Sequence, residues 1–148
     1  MPTDYTLRRR IGSIPRESAA LLLFTQLGDE FLRKVPVLDV NTTNPGTSAV
    51  TSTLLVPVGV KVRAYVAGHV IDGTPVGISA WVSSLDQTDT AASTSVMTAL
   101  TTSTSPGSSF QTFVRTSVAA QIRYRFSLSD GLAIIRISTH GWLDTRGR

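Results

Sequence analysis

Regular alternation of apolar and polar residues is the feature that most restricts how this chain can fold. It runs through residues 60–67, 78–83, 121–128 and 133–138, where every second residue is apolar. Successive side chains of a β-strand point to opposite faces, so a period of two is typical of strands with one face on a hydrophobic core. The pattern therefore predicts a protein built from antiparallel sheets.

Turn signals separate the alternating segments. Asn44-Pro45-Gly46, Asp72-Gly73 and Ser129-Asp130-Gly131 combine residues that favour tight turns. In residues 83–109, 15 of the 27 residues are Ser or Thr, which predicts a long loop with one weak strand. Six to eight short strands at this spacing predict an all-β fold, an antiparallel β-sandwich of the jelly-roll type.

We expect one folded domain preceded by an arm. The chain has 148 residues, which suits a single hydrophobic core. Residues 1–18 contain Pro2, Pro15 and little apolar material, and they predict an extended N-terminal arm. Residues 19–148 form the predicted sandwich domain.

The start of the domain, residues 19–34, fits either a short helix or a hairpin. Phe24, Leu27 and Phe31 are spaced at i, i+3 and i+7, which favours a helix with one apolar face. Gly28-Asp29, between two apolar runs, favours a hairpin turn instead. Both alternatives stay open at this point.

Composition excludes several kinds of site. The chain has no cysteine, so disulfides, thiolate metal sites and cysteine nucleophiles are excluded. No apolar run approaches the about 20 residues that cross a bilayer, and the N-terminus lacks the apolar core of a signal peptide. We therefore expect a protein that is made in the cytoplasm and has no membrane partner.

The basic residues are nearly all arginines. Twelve of the 14 are Arg, and Lys34 and Lys61 are the two lysines. The planar arginine guanidinium forks onto carboxylates and carbonyls, which is why arginine is enriched at protein interfaces. Charged residues make up 16% of the chain, against a usual value of about 25%. We therefore expect partners to cover part of the surface.

Three arginines of the arm, Arg8, Arg9 and Arg10, are the first interface candidates. A short basic arm can bind nucleic acid, but three charges flanked by Asp4 and Glu17 make a weak electrostatic footprint. We expect the arm to pair with carboxylates of a neighbouring subunit, and we do not expect nucleic acid to be a partner.

Further arginines extend this set of candidates. Arg123, Arg125 and Arg136 fall at polar positions of two predicted strands, and we expect them to share one outer face. Like charges on one face need acidic partners from a loop or another chain, and a solvated face is the alternative. Arg146 and Arg148, at the end of the chain, are the last arginine candidates.

Aromatic residues at polar positions complete the interface candidates. Tyr65 and Trp81 fall on the polar side of their strands, and Trp142 lies just beyond the last alternating segment. Aromatic side chains beside arginines on a non-core face are typical of protein interfaces. The alternative is that these residues belong to a second buried face of the sandwich.

No pattern points to catalysis or to a bound cofactor. His69 and His140 are available for a Ser-His-Asp site, but the sequence has no G-x-S-x-G motif and no P-loop. The segment Asp86-Gln87-Thr88-Asp89 resembles a cation-binding loop only loosely, because calcium takes about 6–8 oxygen ligands, and a capped turn is the alternative. We therefore predict no catalytic residue, no cofactor and no metal site.

Three stretches resemble small virion structural proteins of tailed bacteriophages. They are Leu54–Val66 (LLVPVGVKVRAYV), Ser83–Thr90 (SSLDQTDT) and Thr139–Arg148 (THGWLDTRGR). The resemblance spans most of residues 19–148, and none of these motifs defines an activity. It implies a jelly-roll-like fold, no catalysis and many copies in a particle, with no functional residue to carry over.

The resemblance implies a non-enzymatic subunit that is made in the host cytoplasm and resides in the virion. The leading hypothesis is a capsid decoration or cement protein that contacts other virion proteins and its own copies through arms and loops. The alternative is a tail or fibre component that adsorbs to the host, with Tyr65 and Trp81 stacking on a glycan. A third hypothesis is an enzyme that acts on glycans through two aspartates.

Overall fold

Strands make up all the regular structure in the part of the chain that the structure describes. The computed structural model describes residues 12–17, 19–72, 77–93, 95, 99–101 and 107–145. These residues contain no helix, and so none that is long and apolar enough to span a membrane. Their strands are β1 (Arg16–Glu17), β2 (Ala20–Leu21), β3 (Phe24–Leu27), β4 (Glu30–Thr43), β5 (Val50–Thr53), β6 (Arg63–Ile71), β7 (Ser79–Ser84), β8 (Ala99–Thr101), β9 (Ser108–Arg115), β10 (Gln121–Phe126) and β11 (Ile134–Leu143).

Two antiparallel sheets face each other across one core, which confirms the predicted all-β class. The five-stranded sheet has the order β3-β4-β11-β6-β9, and the four-stranded sheet has the order β5-β10-β7-β8. A separate two-stranded sheet pairs β1 with β2. Val66 and Ile135 of the larger sheet and Ile122 and Phe126 of the smaller one belong to the same buried cluster. The arrangement is therefore sandwich-like.

The alternation in the sequence decides which residues fill this core. In β10, Ile122, Tyr124 and Phe126 are buried, and the residues between them are half-buried. Burying an apolar side chain of this size contributes about 1.5–3 kcal/mol. The Tyr124 hydroxyl lies 2.9 Å from Thr42 Oγ1 on the opposite sheet. This hydrogen bond allows a phenol to sit in the core without an unpaired polar group.

The first strands of the domain form a hairpin, so the helix alternative is wrong. β3 pairs with β4 around a turn at Gly28, whose φ is 60°. Phe24 and Phe31 lie with ring centroids 5.5 Å apart, whereas Leu27 is 79% exposed. The helix-like spacing of the three residues arises because two strands fold back on each other, which brings the two phenylalanines together without Leu27.

An irregularity in β11 changes the side on which Trp142 lies. Ile137 and Thr139 are buried, as the alternation predicts. The register of β11 against both neighbours then shifts between Thr139 and Gly141, so His140 is an extra residue and the alternation reverses after it. Trp142 is consequently in the core, where it is 1% exposed. The expectation that it lies on a non-core face is wrong.

The first described residues lie against the folded domain. Ser13 donates a hydrogen bond of 2.6 Å to Asp144, which follows β11. Gly12 lies against the ring of Phe31, and Pro15 is buried. The last part of the predicted arm is therefore packed on the sheets.

Candidate interaction surfaces

The loop after β7 folds over the outer face of the four-stranded sheet. We call residues 85–93 the covering loop. Beneath it, Trp81 and Ser83 of β7 pair directly with Arg125 and Arg123 of β10. Trp81 is 7% exposed and Ser83 is 1% exposed. Trp81 thus faces away from the core, as the sequence predicts, but the chain itself covers it.

Arginine contacts hold the covering loop in place. Arg125 Nη1 lies 2.6 Å from Asp89 Oδ2, and 17% of the Arg125 side chain is exposed. Arg123 Nη2 donates to the Ser84 carbonyl at 2.9 Å and also to the Gln87 carbonyl. The acidic partner that we expected for these arginines from a loop or another chain is supplied to Arg125 by the chain's own loop.

The segment from Asp86 to Asp89 begins in a turn that spans Ser84 to Gln87. The Gln87 amide donates to the Ser84 carbonyl at 3.2 Å, and the Asp86 amide donates to Ser84 Oγ at 3.1 Å. Lys61 Nζ lies 2.6 Å from Asp86 Oδ1, and this hydrogen bond lowers the pKa of Asp86 from its usual 3.8. Both carboxylates contact cations of the chain. The described residues include no group of three or more His, Asp or Glu placed to bind a metal ion.

Four polar atoms beneath the covering loop have no hydrogen-bond partner among the described residues. They are Trp81 Nε1, Ser83 Oγ, Arg123 Nε and Arg125 Nε. A buried donor without an acceptor costs about 1–3 kcal/mol. The ion pair of Arg125 and the carbonyl contacts of Arg123 therefore have to offset the cost of burying these four polar atoms.

Arg136 lies on a different sheet from the other two arginines. It belongs to β11 of the five-stranded sheet, whereas Arg123 and Arg125 belong to β10 of the four-stranded sheet. The connection between β10 and β11 crosses from one sheet to the other, so these consecutive strands are not neighbours. The prediction that the three arginines share one outer face is wrong. Arg136 Nε instead donates to Asn41 Oδ1 at 3.2 Å.

The outer face of the five-stranded sheet carries a cluster of rings. Tyr65 stacks on Phe113 with ring centroids 5.1 Å apart and contacts His140 at 5.5 Å. We call these three residues the aromatic cluster. The Arg63 guanidinium lies 5.4 Å from the Phe113 centroid, within the range of a cation–π contact. Because Phe113 is 44% exposed, this face presents part of an aromatic side chain to solvent.

A shallow groove lies beside the aromatic cluster, and we call it the outer groove. Its volume is about 380 Å³, and its lining includes Ala67, whose small side chain leaves room on the outer face. No Asp or Glu is among its described lining residues. Its polar lining consists of His69, Ser109, Gln111, Arg136, Ser138 and His140.

One wall of the outer groove contains a serine–histidine pair. His69 Nδ1 lies 2.8 Å from Ser109 Oγ. A Cβ placed on Gly107 would lie 3.1 Å from His69 Nε2, so the second ring nitrogen faces the backbone of a glycine. Both residues of this pair line the groove.

Several residues on the outer face of the five-stranded sheet could not be identified from the sequence. Phe113 and Gln111 meet Tyr65 and Ala67 because β9 pairs with β6 in that register, and no local signal in the sequence reports this pairing. Arg63 could have been identified from the sequence, because it lies two residues before Tyr65 in the same predicted strand and therefore on the same face. Five of the interface candidates lie outside the described residues, namely Arg8, Arg9, Arg10, Arg146 and Arg148.

No protein-family model and no curated protein sequence matches this chain. Functional conclusions therefore depend on the strand order and on the two outer faces.

Proposed function

We propose that this chain is a non-enzymatic structural subunit of a bacteriophage virion. In this role it decorates or cements a capsid, and it contacts other virion proteins and its own copies. The protein is made in the host cytoplasm and then becomes part of the particle. The observation that carries the proposal is the order in which its strands pair.

The strand pairing supports a jelly-roll topology for the sandwich. From β4 to β11 the described residues form eight strands, which pair as β4 with β11, β5 with β10, β6 with β9 and β7 with β8. This nested antiparallel pairing, split between two sheets, corresponds to the eight-stranded jelly roll with two Greek keys that viral capsid domains use. Lectin domains and cupins share this architecture, so further support has to come from the surface.

Exposed leucines near the free edge of the five-stranded sheet support contact with a neighbouring subunit. Leu21, Leu23 and Leu27 are 65%, 72% and 79% exposed. β3 ends the order of this sheet, so its outer side has no strand partner among the described residues. Exposed strand edges and clustered apolar side chains are usually covered by a partner. An assembly would cover both features at once.

The direct test is the protein content of purified virions. We expect this chain in each particle at a copy number comparable with that of the major capsid protein. Quantitative mass spectrometry of gradient-purified particles measures this number. Virions that lack the chain would overturn the proposal.

A second experiment tests the leucine edge. We expect the double variant Leu23→Asp and Leu27→Asp to keep its strand-rich circular dichroism spectrum but to lose incorporation into particles. Val58→Asp is the matched control, because Val58 is 71% exposed and lies in the loop before β6. Equal incorporation of both variants would show that this edge is not an interface.

A tail or fibre component that adsorbs to the host is the second candidate function. The observation that favours it is the exposed Phe113 ring stacked on Tyr65 of the aromatic cluster, because flat rings are platforms for glycans. Trp81 takes no part in this face, since it lies under the covering loop on the other sheet. A copy number of only a few to tens per particle would favour this function over the capsid role.

A further inference from the structure

We propose that the outer groove binds an acidic saccharide, a sugar ring that carries a carboxylate. This inference rests on the second candidate function and names the ligand class that the function requires. Three features support it: the hydrogen-bond donors of the lining, the adjacent rings and the local charge.

The polar lining of the groove is rich in donors whose orientation is fixed. The Tyr65 hydroxyl donates to Gln111 Oε1 at 3.1 Å, so the amide nitrogen of Gln111 remains to donate to a ligand. The bond from Arg136 Nε to Asn41 restrains the guanidinium plane. The terminal nitrogens of Arg136 have no partner among the described residues. A ligand rich in acceptors matches this lining.

The groove has a ring-bearing, partly apolar wall, because His140 of the aromatic cluster lines it together with Leu38 and Phe110. The Tyr65 ring adjoins it, with centroid distances of 5.5 Å to His140 and 5.1 Å to Phe113. One side of a pyranose ring consists of C–H groups and packs on such a ring, while the sugar hydroxyls point outward to polar groups. Ser109 and Ser138 add uncharged hydroxyl groups to the lining, and these can form hydrogen bonds with sugar hydroxyls. This combination of a ring and neutral hydroxyl groups fits a sugar.

The charge of the groove indicates that the sugar is acidic. Arg136 is the one arginine of the described lining, and no carboxylate opposes it there. A guanidinium binds a carboxylate through two parallel, charge-assisted hydrogen bonds. A nucleic acid strand would need several Lys or Arg side chains, because its affinity comes from neutralising successive phosphates. Arg63 and its register partner Arg115 lie on the far side of the aromatic cluster, and neither of them lines the groove. A ligand with a single negative charge therefore fits better than a polyanion.

Ala67 offers a way to close the groove without disturbing the core. Its register partners are Gln111 on β9 and Ser138 on β11, both of which line the groove. Its side chain therefore stands in the middle of the outer face. A leucine at this position fills the groove and adds no charge.

The test is an NMR titration of the purified full-length chain with glucuronic acid, and glucose serves as the matched sugar without a carboxylate. We expect glucuronic acid to shift resonances of groove residues at millimolar concentrations. We expect glucose to bind at least about 10-fold more weakly, because it lacks the charge-assisted contact with Arg136.

Three variants identify the site. Arg136→Gln is expected to weaken glucuronic acid binding by about 10-fold or more, and Ala67→Leu is expected to abolish it. Lys61→Gln is the matched control, because it also removes one positive charge but lies outside the groove, beside Asp86. It is expected to leave binding unchanged. Thermal melts of each variant separate loss of binding from loss of folding.

Several results would overturn the inference. Equal binding of glucose, or unchanged binding by a folded Arg136→Gln variant, would remove the role of the carboxylate. Tighter binding of a 20-nucleotide oligothymidine with steep salt dependence would identify the face as a nucleic acid site. The outcome is separable from the proposed function. If virions contain the chain but glucuronic acid does not bind, the structural role stands and the saccharide site falls.

Discussion

At the scale of single residues, the two tryptophans differ in what covers them. Trp142 stacks on Phe31 with ring centroids 5.1 Å apart and an interplanar angle of 7°, and Phe24 meets it edge-on at 5.7 Å. Trp81 lies outside the core cluster, on the face of β7 and β10 that carries Arg123 and Arg125, and it is 7% exposed. The Nε1 atoms of both rings are buried without a partner among the described residues. For Trp142, ring packing and not hydrogen bonding is therefore what stabilises the side chain.

Replacing Trp142 tests its place in the core. We expect Trp142→Ala to lower the free energy of unfolding by about 3–5 kcal/mol, because it removes a large buried ring and leaves a cavity. Phe113→Ala is the control, since that ring is half-exposed, and it is expected to cost less than about 1 kcal/mol. Urea unfolding followed by far-UV circular dichroism measures both. Similar losses in the two variants would contradict the assignment.

Asp86 is expected to make stability depend on pH in the acidic range. The hydrogen bond from Lys61 is the main cause of its lowered pKa, and the charges of Lys61 and Arg115 add to it. Folding therefore favours the ionised form. The contribution to stability is complete above the usual pKa of 3.8 and is lost as the pH falls through the lower value of the folded state.

The corresponding experiment compares unfolding between about pH 5 and pH 2 in wild type and variants. We expect Asp86→Asn to lose part of the acid-induced fall in the free energy of unfolding. Lys61→Gln should have the same effect, and the double variant should add nothing further. Three parallel pH profiles would show that this ion pair does not contribute.

At the scale of elements, β11 is the central strand of the larger sheet and tolerates little change at its irregularity. It pairs with β4 on one side and β6 on the other along most of its length. At the register shift, β4 comes so close that a Cβ on Gly141 would lie 2.2 Å from the Phe31 carbonyl oxygen. Glycine permits this close contact because it has no Cβ. The register shift at this point places Trp142 in the core.

A pair of glycine substitutions tests this close contact. We expect Gly141→Ala to lower the free energy of unfolding by about 1–3 kcal/mol or more, because backbone atoms must move apart. Gly131→Ala is the matched control, since nothing lies within 4 Å of its added methyl group. It is expected to change stability by less than about 0.5 kcal/mol. Equal effects in thermal unfolding would contradict the account.

At the scale of the whole molecule, the N-terminal segment divides into a part that packs on the domain and a part outside the described residues. Deletion of residues 1–11 gives the reference melting temperature, because it leaves every described residue in place. Deletion of residues 1–17 also removes the Ser13–Asp144 hydrogen bond and buried Pro15. We expect it to lower the melting temperature by several degrees, since about 1 kcal/mol corresponds to about 2–8 °C in domains of this size. Equal melting temperatures would show that residues 12–17 do not stabilise the fold.

Much of the fold could be predicted from local patterns, and part of the surface could not. Alternation predicted the buried set of β10, and it placed Tyr65 and Trp81 on outward sides of their strands. It did not reveal that the covering loop buries Trp81, because a loop's destination depends on contacts such as Arg125 with Asp89. It also did not reveal that Phe113 lies beside Tyr65.

The sequence by itself determined that the chain forms strands and which residues of most strands face the core, because side-chain alternation is a property of each strand alone. Only the tertiary structure decided which strands are neighbours. That choice separated Arg136 from Arg123 and Arg125, created the outer groove, and moved Trp142 inward through one extra residue at His140. These outcomes depend on pairing between residues far apart in the chain, and no local pattern encodes such pairing.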